Sequence, residues 1–242
     1  MSRGTEEPQS SERTRPGATG PGVVAVELSK DYGDGPVVDR VSLDAPRGCQ
    51  TALVGPNGSG KSTILAMAAG LLEPSGGRVT VMGATAGSIE ARSVTSYIPD
   101  NPVLYDDLSV MEHLEYVARL HGVRQWRPRA DELVERLGLS ARVDDLPSRF
   151  SRGLRQKTGI AVALVRPFGA LLVDEPFVGL DQVGRSALLE FLDEVSRDGA
   201  SVLVATHQRD YLAVAQRCIG MLDGTVVFSG RPDDPAVSRL LD

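Results

Sequence analysis

The stretch that decides the fold is Gly55-Pro56-Asn57-Gly58-Ser59-Gly60-Lys61-Ser62, between the apolar run Gln50–Val54 and a helical pattern from Ser62 to Leu72. It matches the spacing G-x-x-x-x-G-K-[S/T] without a gap, between a predicted strand and a predicted helix. Glycines let the backbone wrap phosphate oxygens and aim successive N–H groups at them. The N-terminus of the following helix also favours an anion. The segment therefore predicts a site for the phosphates of a nucleotide.

Two side chains of this loop have expected roles in nucleotide chemistry. Lys61 would place a point charge on the β- and γ-phosphates, and the hydroxyl of Ser62 would ligate Mg²⁺. The residues of this region expected to bind ATP are Gly55, Pro56, Asn57, Gly58, Ser59, Gly60, Lys61, Ser62 and Thr63. On its own, the motif indicates only a P-loop NTPase.

An acidic pair follows a second apolar run. The segment Ala170–Val173 has the continuous apolar character of a buried strand in a parallel sheet, and Asp174 and Glu175 come directly after it. Side chains at this end of a parallel strand beside a phosphate loop point into the nucleotide crevice. We expect Asp174 to hold Mg²⁺, through water, and Glu175 to accept a proton from the attacking water.

The remaining patterns predict an α/β protein with a P-loop NTPase core, a mostly parallel sheet and an inserted α-helical subdomain. Further strands are predicted at Val23–Leu28, Val37–Leu43, Arg78–Met82, Ser93–Ile98 and Ala200–Ala205, with a closing hairpin of Ile219–Leu222 and Thr225–Phe228 around Asp223-Gly224. Further helices are predicted at Ser109–His121, Arg129–Leu137, Ser151–Val165, Arg185–Ser196 and Asp210–Gln216.

The domain organisation follows from shifts in composition. Residues 1–21 are polar and rich in Pro and Gly, and predict a disordered tail before one domain over residues 22–242. The helical subdomain is expected at about residues 101–165, where Ser109 and Glu112 have the spacing of a capping box. Cys49 and Cys218 lie far apart in apolar contexts and are expected to be reduced core thiols.

Composition and charge exclude some classes of function. Of the 242 residues, 41% are hydrophobic, which is enough for a sizeable core, and the formal net charge is -6. An acidic chain without clustered Lys and Arg argues against nucleic acid as a partner. The first residues lack the apolar region of a signal peptide, and the most apolar stretches are shorter than the roughly 20 residues that cross a bilayer. We therefore expect a cytoplasmic protein that a partner brings to any membrane where it acts.

With these motifs in order, residues from about 23 to 232 resemble the nucleotide-binding domain of ABC transporters. The resemblance implies that the P-loop core is RecA-like and that an N-terminal antiparallel β subdomain accompanies the helical insertion. The family's signature reads Leu-Ser-Gly-Gly-Gln, and Phe150-Ser151-Arg152-Gly153-Leu154 stands in its place here. The resemblance implies that Ser151 and Gly153 bind the γ-phosphate held by an opposite subunit. Arg152 and Leu154 depart from the pattern, and Phe150 is a milder substitution.

The resemblance also implies roles for single residues elsewhere. Asp181, in Gly179-Leu180-Asp181, matches a loop that crosses the interface between two ATPase subunits. His207 matches a histidine that bonds the γ-phosphate and helps to place the attacking water. Tyr32 matches the aromatic residue that stacks on adenine. The other two histidines, His113 and His121, are expected to be surface or packing residues.

One departure lies beside the metal site. The family usually has Gln at the junction between core and helical insertion, and Asp100 stands there in this chain. A carboxylate can ligate Mg²⁺ through oxygen, so Asp100 joins Ser62 and Asp174 as an expected metal ligand. It also brings negative charge close to the expected position of the γ-phosphate.

Together these features predict an ATPase that uses ATP and Mg²⁺, with Glu175, His207 and Lys61 as its catalytic residues. The resemblance implies a transporter subunit peripheral on the cytoplasmic face of the cell membrane. Its expected partners are transmembrane permease subunits and a second ATPase subunit, identical or paralogous, with no nucleic acid. The form of the signature resembles export systems; import is the alternative within transporters. A soluble ABC ATPase acting on DNA or the ribosome, and a P-loop kinase or GTPase, remain the alternatives outside them.

Overall fold

The computed structural model describes residues 20–241, which form ten strands and eight α-helices. The strands are β1 (Val23–Asp31), β2 (Pro36–Ala45), β3 (Cys49–Val54), β4 (Gly76–Val81), β5 (Ala84–Thr85), β6 (Thr95–Ile98), β7 (Ala170–Asp174), β8 (Ser201–Ala205), β9 (Arg217–Leu222) and β10 (Thr225–Gly230). The helices are α1 (Lys61–Ala68), α2 (Ile89–Val94), α3 (Val110–Leu120), α4 (Arg127–Arg136), α5 (Arg152–Leu164), α6 (Gln182–Arg197), α7 (Arg209–Leu212) and α8 (Pro235–Leu241). All but the last two residues of the predicted tail, 1–21, lie outside the described residues.

The strands form two sheets. The central sheet has the order β10-β9-β3-β8-β7-β6, and its neighbours pair in parallel except for β10 and β9. A second sheet, antiparallel, has the order β2-β1-β4-β5. The mostly parallel core sheet, the antiparallel sheet near the N-terminus and the α3–α5 insertion confirm the predicted fold class.

Alternation along the central strands divides the interior into two apolar layers. In β7, Leu171 and Val173 face the layer that contains α3 to α6, while Ala170 and Leu172 face the layer with α1 and the antiparallel sheet. Both faces are therefore covered, which is why β7 and β8 are buried at every position. Parallel packing brings the C-terminal ends of β3, β6, β7 and β8 to one edge of the sheet.

Most predicted elements are present, with shifted ends. The Asp223-Gly224 hairpin is confirmed, as is the Ser109–Glu112 capping box of α3. The predicted strand Ser93–Ile98 is wrong in its first two residues, because Ser88 caps a short helix, α2, that continues to Val94. The predicted helix Asp210–Gln216 is too long: α7 ends at Leu212.

A contact with β3 explains why α7 ends early. The amide N–H of Gln216 donates to Gln50 O at 3.0 Å, and its side-chain Oε1 accepts from Gln50 N at 2.7 Å, so this residue is tied to β3 rather than to a helix. Cys49 is partly buried and Cys218 buried, and both are free thiols. Within residues 20–241, no helix combines the length and apolar character needed to cross a membrane.

Candidate active site

The phosphate loop joins the end of β3 to the start of α1, and its glycines make the turn possible. Gly60, directly before α1, has a φ of 96°, in the left-handed region that disfavours side chains. A Cβ atom there would lie 2.8 Å from Val37 O. The backbone of the loop is therefore held close to β2, and its helix start is open toward a cleft of about 160 Å³.

Lys61, the first residue of α1, is buried inside this loop. Its Nζ donates to Gly55 O at 2.7 Å and to Pro56 O at 3.1 Å. Burial lowers the pKa of Lys61, while the carboxylates of Glu175 and Asp174 act to raise it. The loop thus holds a cation next to the cleft and next to both acids of β7's C-terminal end.

Asp174 ends β7 with a carboxylate that is buried and incompletely partnered. Its Oδ1 has no hydrogen-bond partner among the described residues. Burial raises the pKa of Asp174, with Glu175 and Asp100 adding to the rise and a hydrogen bond from Ser62 opposing it. An unsatisfied buried carboxylate oxygen is costly, so this atom is suited to a ligand that supplies positive charge.

The donors near Asp174 fit Mg²⁺. No group of three or more His, Cys, Asp and Glu side chains within residues 20–241 could hold a metal without help. Mg²⁺ is typically bound by one or two carboxylates together with substrate phosphates and water, so a full protein cage is not needed. The Ser62 hydroxyl and the orphan Oδ1 of Asp174 match that requirement.

Glu175 and His207 face each other across neighbouring strand ends. Nδ1 of His207 lies 3.1 Å from Oε2 of Glu175. Glu175 has a φ of 42°, and its amide N–H donates to Ala205 O at 2.9 Å, so β8 fixes an uncommon backbone conformation. The Glu175 side chain is largely buried and that of His207 about half exposed, which places an acid inside the cleft and an imidazole at its mouth.

Asp100 lies two residues beyond β6 and pairs with the signature segment. Its Oδ1 is 3.5 Å from Nη2 of Arg152, and its Oδ2 accepts from the side-chain amide of Asn101 at 2.9 Å. It is also close enough to raise the pKa of Asp174. Burial is the main reason why the pKa of Tyr97 rises to about 12, and the charges of Asp174 and Asp100 add smaller contributions. The structure therefore places Asp100 between the expected metal site and the start of α5.

Ser151 and Asp181 begin helices, which explains their residue types without a nucleotide. Ser151 caps α5 by accepting from Leu154 N at 3.2 Å. Asp181 caps α6 by accepting from Gly184 N at 2.9 Å, and its other oxygen pairs with Lys157 Nζ at 2.8 Å. These contacts fix the N-terminus of α5 against that of α6.

The cleft beside the loop includes one residue that sequence reasoning missed. Its lining is Val37, Asn57, Gly58, Gly60, Lys61, Ser62, Thr63 and Glu175. Val37 comes from the start of β2, and an apolar residue there gave no signal of its function. Tyr32 is exposed, outside this lining, with Lys30 Nζ 5.2 Å from its ring centroid.

The two insertion histidines have different surroundings. His113 is buried, and its ring bonds Ser109 O at 2.7 Å and accepts from Tyr105 N at 2.9 Å. His121 is exposed at the end of α3, and partial burial lowers its pKa. Neither belongs to the cleft, in agreement with the predicted packing and surface roles.

The family follows from a direct comparison with known proteins. The model of the ABC transporter family matches residues 38–178, more than half of the chain. The chain belongs to the ABC transporter family. Members of this family hydrolyse ATP to drive transport, so the chain is an ATP-binding subunit of an ABC transporter and an ATPase.

Curated relatives and solved structures agree with this membership. The chain is 37% identical to the ABC-type transporter ATP-binding protein EcsA of Bacillus subtilis over 79% of its length and 78% of the relative's. It is 32% identical to the SkfA peptide export ATP-binding protein SkfE of the same organism, over 83% and 85%. A solved ATP-binding subunit of an ABC transporter superposes with a TM-score of 0.82 at 33% identity, over 88% of this chain and 90% of that one.

Proposed function

We propose that this subunit drives export through separate transmembrane permease subunits, with ATP and Mg²⁺ in the cleft beside Lys61. The main support for ATP hydrolysis is that four side chains lie together at one edge of the central sheet: Lys61, Asp174, Glu175 and His207. Support for export comes from relatives: SkfE is named for peptide export, and a relative 32% identical, SrtF of Streptococcus pyogenes, for lantibiotic transport.

The residues divide the catalytic work. Ser62 and Asp174 would hold Mg²⁺, with Asp100 close by, and the metal would supply charge neutralisation at the phosphates. Glu175, largely buried and beside Lys61, orients the attacking water and accepts its proton. His207, 3.1 Å from Glu175, donates a hydrogen bond to the γ-phosphate from the mouth of the cleft.

A second ATPase subunit completes each site in this proposal. Tyr32 stacks on the adenine, and the phosphates span from the loop of one subunit to Ser151 and Gly153 of the other. Ser151 to Leu154 line a surface groove that also contains the exposed side chains of Arg142 and Arg149, which would attract a triphosphate. Asp181 lies in the same groove and would meet the partner subunit at the dimer interface. Hydrolysis removes the charge that joins the two subunits, which opens the dimer.

An exposed apolar patch on the helical insertion is the proposed permease contact. It consists of Val103, Tyr105, Tyr116 and Leu120, all of which are exposed. Tyr116 and Leu120 lie one turn apart on α3, and the ring of Tyr116 packs edge-on against Tyr105 with centroids 5.5 Å apart. Apolar side chains gathered in this way favour a protein partner. The patch begins three residues after Asp100 along the chain. The permease contact would keep the subunit at the cytoplasmic face of the membrane.

The test is co-purification in the presence of ATP. Tagged Glu175→Gln protein, which should bind ATP without hydrolysing it, is recovered from detergent-solubilised native membranes with ATP and Mg²⁺. A stoichiometric multi-spanning membrane protein supports the proposal, and transport assays on that complex establish direction. Tyr116→Glu with Leu120→Glu should lose the membrane partner and keep ATP binding, whereas Lys61→Ala should lose ATP binding. Recovery of ribosomes or DNA in place of a membrane protein would overturn the proposal.

A further inference from the structure

Two departures from the family pattern contact each other. Asp100 replaces the usual Gln beside the metal site, and Arg152 replaces the first Gly of the signature. They lie 52 positions apart in the chain, yet their side chains form an ion pair of 3.5 Å between Nη2 and Oδ1. Each substitution alone would place an unusual charge near a proposed nucleotide site. In the pair, the negative charge of Asp100 and the positive charge of Arg152 offset each other.

Arg152 has a second contact that fixes its direction. A Cβ atom built on Gly179 would lie 3.4 Å from Cγ and 3.5 Å from Cδ of Arg152, so the aliphatic stem of this side chain lies over Gly179. The guanidinium then reaches Asp100. Arg152 therefore connects three segments: the start of α5, the loop before α6 and the loop after β6.

The charges around Asp100 explain why it needs such a partner. Asp100, Asp174 and Glu175 crowd one edge of the sheet, and Asp100 and Glu175 both raise the pKa of Asp174. The nearby cation Lys61 is bonded to the carbonyls of Gly55 and Pro56. Without Arg152, Asp100 would keep only the neutral amide of Asn101 as a partner and would add repulsion toward the phosphates of an incoming nucleotide.

We propose that Arg152 is a positioning residue that pairs with Asp100 in the nucleotide-free subunit and links the metal side of its own cleft to the segment that meets the opposite nucleotide. The inference rests on the proposed ATP and Mg²⁺ site. Arg152 lines the groove of Ser151 and Gly153. When Asp100 turns to the metal, Arg152 loses its ion-pair partner in the same chain and becomes available to the phosphates of the opposite nucleotide. Occupancy of one site thereby alters the surface offered to the other.

The first experiment measures binding of a fluorescent ATP analogue in EDTA. Arg152→Gln should weaken binding roughly two- to five-fold, the range expected for a partly exposed ion pair, because Asp100 then loses its cationic partner and keeps only the neutral amide of Asn101. Adding Asp100→Asn to that variant should restore binding to near the wild-type value, and Arg152→Lys should bind like wild type. Additive losses in the double variant, or no effect of Arg152→Gln, would overturn the proposal.

The second experiment measures the Mg²⁺ concentration that half-saturates the gain in ATP-analogue binding by the Glu175→Gln protein, at subunit concentrations too low for dimerisation. Arg152→Gln should lower this concentration, since Asp100 then has no cationic partner that competes with the metal, whereas a merely structural loss would raise it. A raised or unchanged requirement counts against the pair.

A matched control pair lies on α6. Arg197 and Asp193 are paired at 2.6 Å with exposures similar to those of Arg152 and Asp100. Arg197→Gln should leave both readouts unchanged. Wild-type binding and its loss in Lys61→Ala test the ATP site itself, so failure of that site is distinguishable from failure of the pair.

Discussion

The α-carbon of Gly153 packs directly against the carbonyl of Gly179: a Cβ atom at Gly153 would lie 2.5 Å from Gly179 O. Gly179 itself has a φ of 81°, in the left-handed region that favours glycine. The glycine at position 153 is therefore required within one subunit, in addition to any close approach to a nucleotide of a second subunit. The signature segment around Gly153 and the loop before α6 therefore form one packed unit.

Gly153→Ala should lower the stability of the nucleotide-free protein by about 1–3 kcal/mol, as expected for overpacking at a rigid contact. Urea unfolding without nucleotide measures this effect. Gly76→Ala is a suitable control, because a Cβ there would meet only ordinary contact, 3.7 Å from Ser29. If Gly153→Ala kept full stability and lost only ATP-driven dimerisation, the glycine would serve the opposite nucleotide alone.

Asp181→Asn should remove the ion pair with Lys157 and keep the cap of α6, because Asn caps helices nearly as well as Asp. The variant therefore distinguishes the contribution of the ion pair from that of the cap. Lys157 is nearly buried and would lose the carboxylate 2.8 Å away, at a cost of about 1 kcal/mol. The hydrogen bond from Lys157, followed by that from Gly184, lowers the pKa of Asp181. The stability it contributes is present above the unfolded-state pKa of about 4 and is lost as pH falls through the folded-state pKa.

The check is thermal unfolding of wild type and Asp181→Asn between pH 3 and 8. The difference in unfolding temperature between the two proteins should be largest near neutral pH and should disappear at the acid end. Asp233→Asn breaks a pair between two highly exposed side chains and should change little at any pH. A pH-independent difference would show that the cap or packing, and not the charge of Asp181, stabilises the contact.

Local patterns predicted much of the fold and suggested candidates for the site. The phosphate loop and the acidic pair at the C-terminal end of β7 are each a contiguous segment, so their sequence patterns alone indicated them. The parallel sheet then brings the two strand ends together. The Asp100–Arg152 pair was invisible, since it depends on how two distant loops meet. Val37 was missed for the same reason: it reaches the cleft through contact of β2 with Gly60.

Short elements were hard to predict for a different reason. Helix α2 has six residues, and its stability comes from the Ser88 cap, which accepts from Ala91 N at 3.1 Å, and from packing rather than from a long amphipathic pattern. The end of α7 is set by the pairing of Gln216 with Gln50, a contact between residues 166 positions apart. A local cap therefore decides the first case, and a tertiary contact overrides local preference in the second.

Asp174→Asn should raise the unfolding temperature of the nucleotide-free protein at neutral pH. Burial raises the pKa of Asp174, so its carboxylate opposes folding when ionised. The favourable contribution of the protonated form is present below the unfolded-state pKa and is lost as pH rises through the folded-state pKa. The gain from Asn should therefore grow from about pH 4 to pH 7, measured by differential scanning fluorimetry.

In the presence of ATP, Mg²⁺ should raise the unfolding temperature of the wild-type protein. Asp174→Asn should lose this additional rise, because it replaces the carboxylate that would bind the metal. Unfolding temperatures with ATP in EDTA and with ATP and Mg²⁺ give this comparison. Asp193→Asn, an exposed carboxylate on α6, serves as the control. Destabilisation by Asp174→Asn at neutral pH would mean that Asp174 has a partner in the folded protein that offsets its burial.

Glu175→Gln should keep ATP binding and lose hydrolysis by about 10²–10⁴-fold, the usual contribution of a general base. Gln has the size of Glu, so the backbone at φ 42° and the bond from Glu175 N to Ala205 O should survive. His207→Gln should also reduce hydrolysis, yet it leaves the carboxylate in place. Phosphate release at saturating ATP, with ATP binding measured in parallel, separates these effects. Full hydrolysis by Glu175→Gln would remove Glu175 from its role and leave His207, 3.1 Å away and at the mouth of the cleft, as the remaining candidate to place the water.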